Sequence, residues 1–198
     1  MIVKDILKNQ IVPFEIDDRK ILLLFSYFLH LAPTIDSRSA GLIPKQGLQS
    51  TWCDYLDKSN IGKESYRFYA PGYITEDQLT RYFLSSTSSI PKRTARFVCC
   101  LKSKDETELE CILRHIRNSI AHSNVYFYRS NRKKYIIFDD YNTKENQTAR
   151  IQLRLKKWCK AISLLPSNLH YATSLQTLKS LSITCKRWSI ASCVHTSL

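Results

Sequence analysis

A mainly α-helical domain, with a small β-hairpin or three-stranded meander late in the chain, is the fold class this sequence predicts. Three observations carry it. Apolar residues recur at three- and four-residue steps from Leu109 to Ile120, the period of one helix face. Helix start and stop signals bracket segments near residues 17–32 and 75–84. After His122 the period changes to the alternation of strands. The 198 residues suffice for one domain with a core and an appendage.

The first expected helix runs from Asp17 to Ala32, opened by two acids and stopped by Pro33. Residues 33–72 read as an irregular insert punctuated by Gly41, Pro44, Gly47, Gly62, Pro71 and Gly72. Thr75 followed by Gln78 has the spacing of a capping box, so a short helix to about Leu84 should follow. Ser85 to Ile90 is a polar linker, and Pro91 is expected to start a third helix through Arg96, Val98 and Leu101. The central helix begins near Asp105, with Ser103 and Glu106 at capping-box spacing and Glu106, Glu108 and Glu110 favouring the positive end of its dipole. One stripe of it holds Leu109, Ile112, Leu113, Ile116 and Ile120. The other holds Cys111, His115, Asn118 and His122, with Arg114 and Arg117 beside it. Val125–Tyr128 and Tyr135–Phe138 then make a hairpin around a basic turn. Thr148 to Leu153 reads as a third short strand or as the opening of the next helix. A helix from Leu155 to Leu165 ends at Pro166. The domain is therefore placed at residues 1–166, followed by a basic, Ser/Thr-rich extension at 167–198. Within that extension Ser174 to Ser192 can form an amphipathic helix.

The net charge is +13, and its placement matters more than its size. No acid lies between Cys111 and Phe138, where six Lys or Arg occur, and none from Asn146 to Leu198, where eight occur. Such asymmetry is the footprint expected of a protein that meets a polyanion, nucleic acid first. The apolar run from Ile21 to Ala32 is too short to cross a bilayer, and Lys8, Asp17 and Asp18 interrupt any cleavable leader. No membrane partner is expected, and the cytoplasm is the expected compartment. Seven cysteines include no CxxC pair, and Cys99 and Cys100 are adjacent. Neither pattern favours zinc, so no metal and no cofactor are expected.

Residues Arg117, Asn118 and His122 are the sharpest chemical signal. Arginine stays charged and can bond two phosphate oxygens at once, while histidine moves protons near neutral pH. On an ideal helix Arg117 and His122 lie about 140° apart, so two copies of the chain meeting at one cleft would complete a site better than one. His115 is a second candidate proton carrier on the same side as His122. Arg114 and the hairpin cations Arg129, Arg132, Lys133 and Lys134 are candidate RNA contacts.

The segment Ile116 to His122, on the end of its amphipathic helix and followed by Asn124, resembles the signature of the HEPN superfamily. The hairpin after it and the Thr-Ala-Arg-Ile run resemble a plasmid-type bacterial branch of that superfamily. The resemblance spans roughly residues 76–165. It implies an up-down helical bundle and, in many members, a metal-independent endoribonuclease that works as a dimer through the motif helix. Toxins and anti-phage proteins are among those members, and some are encoded beside an antitoxin partner protein. Other members have lost activity and bind RNA or a partner protein. Under the first expectation Arg117 clamps the phosphate, His122 moves protons and Asn118 orients one or the other. The attacking group is the RNA 2′-hydroxyl. Under the alternative the same face only binds.

Overall fold

Phe97, Val98, Cys99 and Cys100 are consecutive and all buried, which requires packed layers on both sides of an extended chain. A computed structural model describes residues 1–8, 21, 25, 56–57, 61–90 and 95–155. Within them the chain forms helix α1 (Val3–Lys8), strand β1 (Tyr66–Tyr69), helix α2 (Glu76–Arg81), strand β2 (Arg96–Cys100) and helix α3 (Glu108–Ala121). Strands β3 (Val125–Ser130), β4 (Lys133–Tyr141) and β5 (Gln147–Arg154) complete it. The strands make one sheet in the order β1-β2-β5-β4-β3. The β1–β2 pair is parallel and the other pairs are antiparallel.

This architecture corrects the expected fold class. The described residues form a mixed five-stranded sheet with three short helices, not a mainly α-helical bundle. The decisive segment is Arg96–Cys100, expected as part of a helix from Pro91 to Leu101. It is a strand lying between β1 and β5 in the sheet. Both of its faces are buried, so it shows neither helical nor alternating periodicity. The expected irregular insert at 33–72 likewise ends in β1, which pairs with β2 from Tyr66↔Phe97 to Tyr69↔Cys100. A parallel pair needs a crossover, and α2 lies in that connection.

Helix α3 packs on one face of the sheet. Leu109, Ile112, Leu113 and Ile116 meet Phe97, Cys99, Ile136, Phe138, Ala149, Ile151 and Leu153. Each fully buried aliphatic side chain there is worth roughly 1.5–3 kcal/mol. The opposite face is covered by α2, through Leu79 against Val98 and Cys100. Helix α1 also covers it, through Ile6 against Tyr128, Tyr135 and Ile137.

The start of α2 follows its capping box: Thr75 Oγ1 accepts from the Gln78 N–H, and Gln78 Oε1 accepts from the Thr75 N–H. Helix α3 starts later than Asp105. Its N-cap is Thr107, whose hydroxyl accepts from the Glu110 N–H while the Glu110 carboxylate accepts from the Thr107 N–H. Glu106 is drawn elsewhere, to Arg114. The expected hairpin is β3–β4, closed by Asn131 and Arg132 at φ 48° and 60°. Positive φ at both central residues is the type I′ geometry that suits twisted strands. Thr148 to Leu153 lies within β5, which resolves that segment as a strand. The helix expected at 17–32 lies outside the described residues except for Ile21 and Phe25, and that at 155–165 except for Leu155. The boundary at 166, the extension 167–198 and its helix at 174–192 also lie outside.

Candidate active site

The C-terminal half of α3 and the end of β4 form the site. The sheet brings Asp140 to the helix because β4 reaches its α3-facing side at Ile136, Phe138 and, two residues on, Asp140. Asp140 Oδ2 lies 2.6 Å from His115 Nδ1 and accepts from Asn118 Nδ2 at 3.2 Å. Its Oδ1 accepts from the Tyr141 N–H at 3.0 Å. The other imidazole nitrogen, Nε2, lies 2.8 Å from the Cys100 carbonyl. Both neighbours of the ring are acceptors, which favours the doubly protonated imidazolium. Burial opposes that charge, but the Asp140 carboxylate outweighs it and pushes the His115 pKa up to about 9.

Arg114 is held by an equally local set of partners. Its Nε and Nη2 donate to the two Glu106 carboxylate oxygens at 2.6 and 2.9 Å, and Nη2 also donates to the Cys100 carbonyl at 3.0 Å. Burial raises the Glu106 carboxyl, yet Arg114 and the Lys102 N–H hold it below the usual carboxylate range. Cys111 lies beside this group, with Sγ 3.4 Å from the Cys100 carbonyl and 3.7 Å from Arg114 Nη2. Burial works against its thiolate. Hydrogen bonds from Cys99 and His115 more than offset this and lower the pKa to about 6.

The motif residues divide. Asn118 is half-buried and tied to Asp140, and Arg117 is half-buried. His122 is the exposed C-cap of α3, and its N–H donates to the Asn118 carbonyl at 2.9 Å. Ser123 follows at φ 60°. The Asn124 N–H reaches back to the Ser119 carbonyl at 2.8 Å and the Ser123 N–H to Ile120 at 3.2 Å. This is the Schellman arrangement that ends a helix, and it presents His122 to solvent.

Of the remaining expected residues, His115 and Arg114 are locked inside the site and the four hairpin cations lie away from it. His115 is fully buried at both ring nitrogens, and the Arg114 guanidinium is committed to Glu106 and Cys100. Arg129, Arg132, Lys133 and Lys134 are exposed around the hairpin turn. The turn lies at the far end of β3 from His122, about 20 Å along the strand at its usual rise.

Sequence reasoning did not find Asp140. The acid-free stretch from Cys111 to Phe138 ends one residue before Asp139 and Asp140. Folding returns Asp140 to the helix face of that stretch, so it is not acid-free in space. The adjacent Asp139-Asp140 pair, following three apolar residues, was the available signal. Asp139 points to the opposite face, where Arg150 Nε and Nη2 each donate to it at 2.8 Å and Arg150 Nη1 donates to the Leu84 carbonyl at 2.8 Å.

An arginine and an amide followed by a histidine, on the last turns of an amphipathic helix, define a HEPN-type module. The HEPN pEK499 p136 family model matches residues 42–169, well over half of the chain, and the chain belongs to that family. No curated protein matches the chain, and no solved structure matches it. Among the described residues no helix is long and apolar enough to cross a membrane.

Proposed function

We propose that this chain is a HEPN-type endoribonuclease that cuts RNA by attack of the 2′-hydroxyl on the adjacent phosphate, without a catalytic metal. The observation that supports it most is the division of the motif at the end of α3. His122 is exposed to solvent, while Asn118, one turn earlier, is fixed by Asp140. His122 removes the 2′-proton or protonates the leaving 5′-oxygen, and Arg117 steadies the crowded phosphorane. Asn118, held by Asp140, orients the phosphate or the imidazole. The products are a 2′,3′-cyclic phosphate and a 5′-hydroxyl. Because Arg117 and His122 sit about 140° apart on the helix, a homodimer through α3 supplies the second half of each cleft. The hairpin cations contact RNA backbone away from the cut. The role we propose for it is in a toxin–antitoxin pair or in anti-phage defence, with an antitoxin protein as partner.

The test is cleavage of a defined RNA during brief exposure to EDTA, with folding followed by circular dichroism. The wild type should cut. His122→Ala should be slower by roughly 100- to 10,000-fold, the usual worth of a general acid or base. Cleavage that survives His122→Ala, or that is restored only by magnesium, refutes the mechanism.

The same angular separation favours a second reading, a silent module that binds RNA or a partner protein, if the chain acts as a monomer. It predicts salt-dependent RNA binding without cleavage. Neutralising Arg129, Arg132, Lys133 and Lys134 together would then lower the log–log salt slope by about three.

A further inference from the structure

Two cysteines and a histidine that the cleavage chemistry does not use come together beneath α3. Cys111 and His115 are one turn apart on the helix, and Cys99 comes from the α3-facing side of β2. Their ligand atoms all lie within 4.8 Å of one another, and all three residues are fully buried. Cys100, the neighbour of Cys99, sends its side chain to the other face, against Leu79 and Val98.

We infer that Cys99, Cys111 and His115 form a structural binding site for a thiophilic d10 cation, zinc first. Two sulfurs and one imidazole suit zinc and disfavour magnesium or calcium, which take oxygen. The surroundings of the histidine supply the independent support. Metal-bound histidines usually give their other ring nitrogen to a carboxylate, which fixes the tautomer. Here Asp140 Oδ2 sits 2.6 Å from His115 Nδ1 and is itself supported by Asn118, so Nε2, whose neighbour is the Cys100 carbonyl, is the nitrogen that would turn from that carbonyl to the ion. The Cys100 carbonyl borders both donors, 2.8 Å from Nε2 and 3.4 Å from Cys111 Sγ, and offers an oxygen for the fourth position. Two thiolates cancel a divalent ion and Arg114 remains neutralised by Glu106, while Asp140 keeps its charge beside the neutral imidazole, held by Nδ1–H, Asn118 and the Tyr141 N–H.

Binding displaces the protons on Cys99 and Nε2, which leave to solvent, while Cys111, its pKa lowered to about 6, meets the ion as thiolate. The ion would pin the first half of α3 to β2. Buried as it is, the site cannot touch RNA, and its role is to hold Asn118 and its helix in place.

The experiment is metal analysis of the full chain purified from zinc-supplemented culture, with cobalt(II) substitution after refolding. Zinc at one equivalent per chain and thiolate-to-cobalt charge-transfer absorption are expected. Cys111→Ser and Cys99→Ser should each lose most of that absorption, whereas Cys100→Ser should keep it. A wild-type chain that takes up neither zinc nor cobalt, native or refolded, overturns the site. So does a Cys100→Ser variant that loses the metal while Cys99→Ser retains it. These readouts are independent of RNA cleavage, so either proposal can fail without the other.

Discussion

Replacing Arg150 by methionine tests how the sheet tolerates charge in its interior. Arg150 and Asp139 are direct partners across β4 and β5 and both are buried. The guanidinium makes two 2.8 Å bonds to the carboxylate and a third to the Leu84 carbonyl. Burial alone would weaken the arginine's charge, but Asp139 raises its pKa above the usual value. Without Arg150, Asp139 keeps the Tyr141 hydroxyl at 3.3 Å as a side-chain donor. Breaking a buried pair from one side costs about 3–5 kcal/mol, because the remaining charge is stranded. For a chain of this size that lowers the melting temperature by about 6–20 °C. Urea unfolding followed by circular dichroism measures the loss. The double variant Asp139→Leu with Arg150→Met should recover more than half of it, since an apolar pair of similar volume is often neutral. A single variant costing less than about 1 kcal/mol, or a double variant no better than the single, would refute the reasoning.

Two further outcomes follow. Thr107→Ala should cost about 1 kcal/mol by removing the cap of α3, while Ser103→Ala should stay within about 0.5 kcal/mol. Urea unfolding that shows the reverse order would move the helix start back toward Asp105. Glu106 is held below its ordinary pKa, so its contribution is complete above an unfolded value of about 4.3 and is lost as pH falls through the folded value. Acid unfolding of Glu106→Gln should therefore show a flatter acid limb, and an unchanged limb would count against the pairing with Arg114.

The sequence was most legible where structure is local. Thr75 and Gln78 cap α2 as their spacing requires, and the apolar stripe of α3 and the hairpin after His122 form where the period places them. It was least legible where structure is made by distant pairing. Arg96–Cys100 has no period because both faces are covered, and β1 is specified largely by its partner β2. Two capping-box spacings follow one another at the start of α3, at Ser103/Glu106 and Thr107/Glu110. The choice falls to the second because Glu106 is taken by Arg114. The motif residues could be named from the chain, whereas Asp140 lies 22 residues beyond Asn118 and joins it only through the fold.

Asp139 and Asp140 carry one more consequence. Tyr135, Ile136, Ile137 and Phe138 precede them and are all buried. A strand apolar on both sides gives hydrophobicity no way to tell even positions from odd, so sliding it by one residue would still bury oil against oil. The two carboxylates remove that ambiguity. Arg150 waits on one side and His115 with Asn118 on the other. A one-residue slip would set Phe138 or Tyr141 against one of these polar partners and leave it without its carboxylate. The adjacent aspartates thus act as a parity mark that tells β4 which way up to lie.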